Sequence, residues 1–199
     1  MNFLGHALLS FGNAGILAGN MMGDYVKGRL VLETFPRDVK EGILLHRKID
    51  AYTDMHPATI RARNIFRPAY RLYSGAFVDA LFDHFLANDP AYFSGDAALL
   101  TFTRDLYRKL DAFTAYYPER FSRMLPYMRE QNWLYHYRTL KGLRQAFEGV
   151  TRRAKYLSES EQAYQLSVQY YYELNQLYFD FMEDMIQYAK NQLKVPGAC

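Results

Sequence analysis

Cysteine is nearly absent from the chain, because Cys199 is the only one among 199 residues. A single thiol cannot form an intramolecular disulfide, and a structural zinc site of the thiolate type requires several thiols. We therefore expect a reducing compartment and no disulfide framework.

Long apolar runs are missing as well. No stretch approaches the about 18 apolar residues of a membrane-spanning helix, and the first residues, MNFLGH, lack the basic segment that begins a signal peptide. The net charge of +3 is too small to demand nucleic acid, although it is compatible with an acidic protein or a phosphate-bearing substrate. We expect a cytoplasmic protein that binds neither membrane nor nucleic acid.

Aromatic residues, in contrast, are abundant: 18 Tyr, 14 Phe and one Trp. Gly and Pro separate segments of helical length, and no pair of alternating strands flanks an Asn-Gly or Asp-Gly turn. The length suits one domain, and no break in composition divides the chain. We predict an all-α fold that forms a single-domain helical bundle over residues 1–199.

Proline and glycine also predict where helices begin and end. Pro57 marks a second helix start after the one that Pro36 opens, and Ser158 with Glu161 fits a capping box. The last segment carries an apolar stripe typical of core packing. The predicted helices cover 36–51, 76–87, 97–116, 118–130 and 134–155, the predicted loops cover 30–35 and 91–96, the stripe is Leu174, Tyr178, Phe181, Met185 and Tyr188, and the Pro-Gly-Ala-Cys end is expected to fray.

The segment 79–87 places two carboxylates and an imidazole in an otherwise apolar helix. Burying such groups costs several kcal/mol unless they are paired or bound to a cation. Asp79 and Asp83 are four residues apart and share one helical face, and His84 lies beside them. This pattern predicts a metal site of a hydrolase.

Two further sets repeat this pattern. His46, Asp50 and Asp54 are spaced by four and share one face if the helix persists that far, while His6 and Asp24 lie near the start of the chain in glycine-containing segments. Nitrogen and carboxylate ligands together suit Mn²⁺ best, with Mg²⁺, Fe²⁺ or Zn²⁺ as alternatives.

Each set also has an ordinary structural interpretation. His6 alone fits a hydrogen-bonded core histidine, and Asp50 alone fits a surface pair with Arg47 or Lys48. His136 has no partner at metal-ligand spacing and is left out. Two basic clusters fit solvated helix faces, or a surface that receives phosphate or an acidic partner. They are Arg61, Arg63, Arg67 and Arg71, and then Arg138, Lys141, Arg144, Arg152, Arg153 and Lys155.

Four motifs occur in an order that resembles a known family. They are Met1-Asn2-Phe3-Leu4-x-His6, Gly19-Asn20-x-x-x-Asp24, Gly42-Ile43-x-x-His46-Arg47-x-Ile49-Asp50-x-x-Thr53-Asp54 and Asp79-x-x-x-Asp83-His84-Phe85-Leu86. The chain is similar to acyl carrier protein phosphodiesterases, and the similarity continues through Gln131-x-Trp133-Leu134-x-x-Tyr137-Arg138 and Gly149-x-x-Arg152-Arg153. That family is regarded as an unusual branch of the HD phosphohydrolases, which are helical enzymes whose His and Asp side chains bind a divalent cation.

The resemblance implies hydrolytic release of 4′-phosphopantetheine from the serine of holo-acyl carrier protein, with Mn²⁺ as the expected cofactor. It implies that six residues are candidate metal ligands: Asp24, His46, Asp50, Asp79, Asp83 and His84. His6 and Asp54 become candidates for catalysis next to the metal, and Arg47 becomes a candidate clamp on a phosphoryl oxygen. Carrier proteins of this kind are strongly acidic, so the basic clusters are expected to steer the encounter.

Three alternatives remain open at this point. The chain fits an HD-type phosphohydrolase that acts on a nucleotide or another small phosphoester, and it fits a non-catalytic helical module that binds a carrier protein. A haem-binding bundle is a distant third, because the histidines cluster with carboxylates and not around an apolar pocket. The sequence leaves the oligomeric state open.

Overall fold

The computed structural model describes residues 1–28 and 30–193, and across these residues it contains α-helices, short 3₁₀ segments and no β-strand. The predicted all-α class is therefore confirmed. The helices are α1 Phe3–Leu8, α2 Ala14–Met22, α3 Arg37–Met55, α4 Pro57–Tyr70, α5 Ser74–Ala87, α6 Asp96–Leu110, α7 Glu119–Glu130, α8 Trp133–His136, α9 Leu140–Arg153, α10 Glu161–Gln169 and α11 Tyr171–Leu193. No helix among the described residues is long and apolar enough to cross a membrane.

Proline defines both ends of the helix that carries most of the candidate site. Pro36 precedes α3 in an extended conformation, and Asp38 lies in the first turn, where negative charge favours a helix N-terminus. The helix ends before His56, whose extended backbone suits a residue followed by proline, and Pro57 then begins α4. Helix α3 thus extends four residues past the predicted end at residue 51 and includes Asp54.

Several predicted boundaries are wrong for local reasons. The predicted helix 134–155 is divided into α8 and α9 because Thr139 is extended and its hydroxyl accepts a hydrogen bond from Gly142 N at 2.9 Å, which caps a new helix. The predicted helix 97–116 ends at Leu110 and continues as a 3₁₀ segment, Asp111–Tyr116. Ser160, not Ser158, precedes α10, so the predicted capping box is not formed.

The predicted loop 30–35 contains a 3₁₀ segment, Leu30–Thr34, whereas 91–95 lacks helix as predicted. The C-terminal Pro-Gly-Ala-Cys sequence lies outside the described residues. The apolar stripe of α11 is confirmed as core, because Leu174, Tyr178, Phe181 and Met185 are buried and Tyr188 packs partly against the same cluster.

Helices α2 and α3 lie unusually close together, and two glycines permit this. A Cβ atom on Gly19 would lie 2.0 Å from the carbonyl oxygen of Val39, and one on Gly42 would lie 2.2 Å from that of Ile16. Only hydrogen atoms fit at both positions. The contact brings His46 of α3 next to the main chain of Asn20 in α2 and so positions one half of the candidate site.

Candidate metal centre

Three side chains from two helices converge on one point. His6 of α1 and both His46 and Asp50 of α3 each offer one ligand atom within 4.8 Å of the others. The Nε2 atom of His6 lies 3.1 Å from Oδ1 of Asp50, and the Nε2 atom of His46 lies 3.1 Å from Oδ2 of the same carboxylate. The two imidazole rings stack with centroids 4.1 Å apart. The arrangement is a compact set of two nitrogens and one carboxylate.

Asn20 of α2 orients both imidazoles. Its side-chain oxygen lies 2.7 Å from Nδ1 of His6, and its main-chain oxygen lies 2.8 Å from Nδ1 of His46. Its amide nitrogen donates to the main-chain oxygen of His6 at 2.7 Å, which fixes the amide orientation. Because both Nδ1 atoms face acceptors, each carries a proton, so in the neutral form of either ring Nε2 is the atom free to bind a cation.

The charges of the cluster are strongly coupled. Burial alone lowers the pKa of His46, but hydrogen bonds with Asp24 and Asp50 outweigh it and raise that pKa to about 9. Burial opposes ionisation of Asp50, yet hydrogen bonds with His46 and His6 hold its pKa far below the usual range. Burial and the nearby His46 lower the pKa of His6. Asp50 is therefore an anion placed between two imidazoles, one of which readily carries a positive charge.

Asp24 completes the cluster on its exposed side. Its Oδ1 atom lies 3.2 Å from Nε2 of His46, and its side chain is 73% exposed. The preceding Gly23 lets the His46 ring lie against this turn, since a Cβ atom there would be 2.3 Å from the ring. Arg47 donates to the main-chain oxygen of Val26 at 3.0 Å and thereby braces the segment that carries Asp24.

Asp79 lies at the edge of the cluster. Its Oδ1 atom is 3.1 Å from the amino nitrogen of Met1, which is in turn 3.8 Å from Oδ1 of Asp50. The contact is one of charge, because no hydrogen-bond donor among the described residues is well aligned with that oxygen. Asp79 thus approaches the centre through the amino group and makes no direct contact with either imidazole.

Asp83 anchors the helix that carries His6. It is fully buried, and its two oxygens accept hydrogen bonds from Leu4 N at 2.7 Å and Gly5 N at 3.0 Å. The Asn2 side chain makes no cap, so Asp83 supplies the acceptors that the start of α1 lacks. Burial raises the pKa of Asp83 to about 7, although the two N–H donors act in the opposite direction.

The structure does not bring His84 or Asp54 into the cluster. His84 donates from Nδ1 to the main-chain oxygen of Tyr137 at 2.7 Å, and its Nε2 lies 2.9 Å from the Tyr171 hydroxyl, so both ring nitrogens have protein partners. Asp54 is exposed and forms an ion pair with Arg63 of α4.

Of the nine residues predicted from the sequence, the structure thus brings His6, Asp24, His46 and Asp50 into contact and puts Asp79 beside them. Asp83 and Arg47 support the elements that carry these residues, and His84 and Asp54 lie apart. The sequence interpretation missed Asn20 as a functional residue, although it belongs to the Gly19-Asn20 motif that carried the resemblance.

Two cavities flank this centre, and each is lined by part of a basic cluster. A cavity of about 460 Å³, the arginine groove, is lined by Arg63, Arg67 and Arg71 together with Asp54 and Asp79. A second cavity of about 770 Å³, the tryptophan cavity, lies against α8 and α9 and includes Trp133, Arg152 and Arg153.

An all-α fold with imidazoles and a carboxylate converging on one point defines this chain as a helical protein with a candidate metal centre. More particularly, the family model described as acyl carrier protein phosphodiesterase matches residues 1–185, and the chain belongs to that family. The resemblance found in the motifs is therefore confirmed.

Named relatives match over nearly the whole chain. An acyl carrier protein phosphodiesterase of Photorhabdus laumondii is 31% identical over 192 residues, which cover 96% of both chains. Proteins of the same name from an Enterobacter species and from Pectobacterium atrosepticum are each 30% identical over 96% of this chain and 99% of their own length. Comparison with solved structures gives no match.

Proposed function

We propose that the protein is a metal-dependent phosphodiesterase that converts holo-acyl carrier protein to its apo form. Water adds to phosphorus, the bond from phosphorus to the serine oxygen breaks, the serine oxygen takes up a proton, and 4′-phosphopantetheine leaves. Family membership supports the choice of substrate. The observation that carries the proposal is the convergence of His6, His46 and Asp50 within 4.8 Å.

The residues present fit a divalent cation. Two imidazole nitrogens and a carboxylate oxygen form a mixed ligand set that suits Mn²⁺, Fe²⁺ or Zn²⁺ better than Mg²⁺. Both Nδ1 atoms already have acceptors, which is the usual arrangement around metal-binding histidines. We assign His6, His46 and Asp50 as ligands, with Asp24 as the fourth. A bound cation supplies a more acidic water molecule and offsets negative charge on the phosphoryl oxygens.

The remaining acid at the centre has a role in proton transfer. Asp79 lies beside Asp50 without touching the imidazoles, and the amino group of Met1 bridges the two carboxylates. We assign it as the group that accepts the proton of the attacking water, since a carboxylate free of the metal is needed for that step. Asp54, in its ion pair with Arg63, is less suited to this role.

The arginine groove gives the site a surface for an acidic protein. Arg67 and Arg71 are exposed, and among residues 1–28 and 30–193 neither forms an ion pair with a carboxylate. The groove also contains Asp79, so an acidic partner seated there places its modified serine next to the centre. Electrostatic complementarity of this kind raises the association rate and weakens as salt is added.

Mass spectrometry of the carrier protein tests the proposal. Purified protein with Mn²⁺ is expected to convert holo-acyl carrier protein to the lighter apo form, and chelation by EDTA is expected to stop the reaction. His46→Ala removes one ligand and should abolish conversion, whereas His84→Gln, at a histidine outside the cluster, should retain it.

Two outcomes would contradict the proposal. Full activity after chelation would remove the metal from the mechanism. Inertness toward holo-acyl carrier protein together with hydrolysis of nucleotides would favour a phosphohydrolase of small phosphoesters instead.

A further inference from the structure

The tryptophan cavity has a composition that the metal centre does not explain. Its volume is about 770 Å³, and its walls combine aromatic faces from Phe3 and Trp133 with neutral amide side chains from Asn2, Gln131 and Gln145. Basic side chains line it at both ends of α9: Lys141 lies near the start of the helix, and Arg152 and Arg153 lie at its end. A cavity of this size is large enough for a small organic ligand.

The cavity adjoins the metal centre along two short paths. On one side, the amino group of Met1 contacts Asp79 and Asp50, and the next residues, Asn2 and Phe3, line the cavity.

On the other side, Asp24 contacts His46, and its neighbour Tyr25 donates through its hydroxyl to the sulfur of Met124, which lines the cavity, at 3.2 Å.

We propose that the tryptophan cavity binds the pantetheine arm of the substrate, with the phosphate of the arm at the end nearest the metal centre. This inference rests on the proposed function. The carrier protein then occupies the arginine groove, which shares no lining residue with the cavity. This division matches the chemistry of a phosphodiester, whose two substituents leave phosphorus in different directions.

The cavity wall offers hydrogen-bonding partners for the amides of the arm. A pantetheine chain is uncharged and carries two amides, a hydroxyl beside two methyl groups, and a terminal thiol. The Trp133 ring nitrogen donates to the Gln131 side-chain oxygen at 2.9 Å, which leaves the Gln131 amide hydrogens for a carbonyl of the ligand. The Asn2 amide donates to the Tyr137 hydroxyl at 3.2 Å and keeps its oxygen as an acceptor for an amide N–H.

The charge of the cavity is placed for the phosphate end of the arm. Arg152 lies 3.6 Å from Glu148, whereas Arg153 has no carboxylate partner in the described part of the chain. An unpaired guanidinium favours an anion beside it, and its planar fork suits phosphate oxygens.

The single tryptophan makes this proposal directly measurable. Trp133 is the only tryptophan of the chain, so its fluorescence reports occupancy of the cavity without a label. Titration of the protein with pantetheine, which lacks the phosphate, is expected to give a saturable change in emission. Inorganic phosphate alone is expected to give none.

A cavity-filling variant supplies the second readout. A Cβ atom on Gly149 would meet only Arg152 and Arg153 nitrogens, at 3.7 and 4.0 Å, so Gly149→Leu projects into the cavity without forcing the backbone. We expect this variant to lose the pantetheine titration and about tenfold or more of kcat/KM on holo-acyl carrier protein. Arg144→Gln, on the same helix but paired with Glu161 outside the cavity, should keep the titration. Circular dichroism checks that both variants are folded.

The outcomes separate this inference from the proposed function. If pantetheine leaves Trp133 emission unchanged, or if phosphate alone reproduces the change, the assignment of the cavity is overturned. If the protein converts holo-acyl carrier protein and Gly149→Leu does so equally well, the function stands and the cavity assignment is overturned. If pantetheine binds in a manner sensitive to Gly149→Leu but no conversion occurs, the assignment stands and the proposed reaction does not.

Discussion

At the scale of single residues, Asn20 orients both imidazole rings of the candidate metal centre. Its side-chain oxygen faces His6, its main-chain oxygen faces His46, and its amide also donates to Ser10 Oγ at 3.2 Å. A single buried amide therefore sets the direction of both Nε2 atoms. Residues that hydrogen-bond to metal ligands typically contribute a factor of about 10 to 100 to metal affinity.

Replacing Asn20 with Ala tests that role. The variant keeps the main-chain contact to His46 but leaves His6 Nδ1 without its acceptor, so we expect Mn²⁺ affinity to fall by about 10- to 100-fold. Manganese binding is measured by electron paramagnetic resonance. Asn88→Ala, another amide that bonds main-chain oxygens but lies outside the centre, serves as the control. Equal affinities for Asn20→Ala and the unmodified protein would show that Asn20 does not orient the ligands.

Asp83→Asn tests the anchoring of α1. An amide places an N–H group opposite one of the two N–H donors of Leu4 and Gly5, so we expect a loss of about 1–3 kcal/mol in the free energy of unfolding. The variant should still bind Mn²⁺, because Asp83 supports the helix of His6 and is not itself a ligand. Loss of metal binding in a variant that remains fully folded would contradict this.

The same carboxyl predicts a pH dependence. Burial raises the Asp83 pKa from 3.8 to about 7, so between these values the folded chain binds a proton that the unfolded chain has lost. The contribution of Asp83 to stability is therefore greatest below about pH 4 and declines as pH rises toward 7, by at most about 1.4 kcal/mol per pH unit. Urea denaturation across this range should show the destabilisation by Asp83→Asn shrinking as pH rises. A constant difference would mean that Asp83 is not the titrating group.

The sequence predicts part of this site for a clear reason. His46 and Asp50 are four residues apart in one helix, and that spacing alone brings them together. Asp83 and His84 are adjacent, so their side chains leave the helix in different directions and meet different neighbours, α1 and Tyr137 respectively. The spacing of residues in the sequence does not indicate which part of the fold each of these two side chains contacts. For this reason His84 joined the predicted ligands and Asn20 did not.

At the scale of helices, the close contact of α2 and α3 supports the centre. Gly42→Ala introduces a Cβ atom 2.2 Å from the Ile16 carbonyl oxygen, which forces the two helices apart. We expect a loss of about 1–3 kcal/mol in the free energy of unfolding, as for other overpacked interiors. Metal affinity should fall as well, since His46 bonds to Asn20 across this contact.

A second helical glycine provides the matched comparison. Gly149→Ala lies inside α9 with no atom closer than 3.7 Å to the new Cβ, so the variant should be stabilised by about 0.5–1 kcal/mol relative to Gly. Urea denaturation of both variants measures the difference. If Gly42→Ala were as stable as Gly149→Ala, the α2 and α3 backbones would not be in the contact described.

Helix boundaries were predictable where proline sets them and at the end of α7, Glu130, but not between α8 and α9. Pro36 and Pro57 precede α3 and begin α4 as predicted, because proline fixes its own backbone and restricts the residue before it. The division between α8 and α9 depends on a cap by Thr139, and threonine occurs inside helices as well as at their N-caps. Only packing around the turn decides between those two states.

At the scale of the whole molecule, the arginine groove and the tryptophan cavity are separate and share no lining residue. The sequence predicted the basic clusters as solvated helix faces, or as a surface for phosphate or an acidic partner, but did not predict that they line separate cavities. That separation results from the tertiary packing of α4 and α9 against α5, which periodicity does not encode.

Salt dependence tests the role of the groove. The double variant Arg67→Gln and Arg71→Gln removes two exposed positive charges, so kcat/KM on holo-acyl carrier protein should fall most at low salt and approach the unmodified value at high salt. Arg123→Gln removes an exposed charge that is paired with Glu119 on α7 and serves as the control. An equal loss at all salt concentrations, or none, would contradict steering by this groove.

The central claim is that His6, His46 and Asp50 together bind a divalent cation, and a manganese titration followed by electron paramagnetic resonance tests it most directly. The unmodified protein should bind Mn²⁺ saturably, His46→Ala and Asp50→Ala should lose that binding, and His84→Gln should retain it. Absence of saturable binding, or loss of binding in His84→Gln with retention in His46→Ala, would contradict the account.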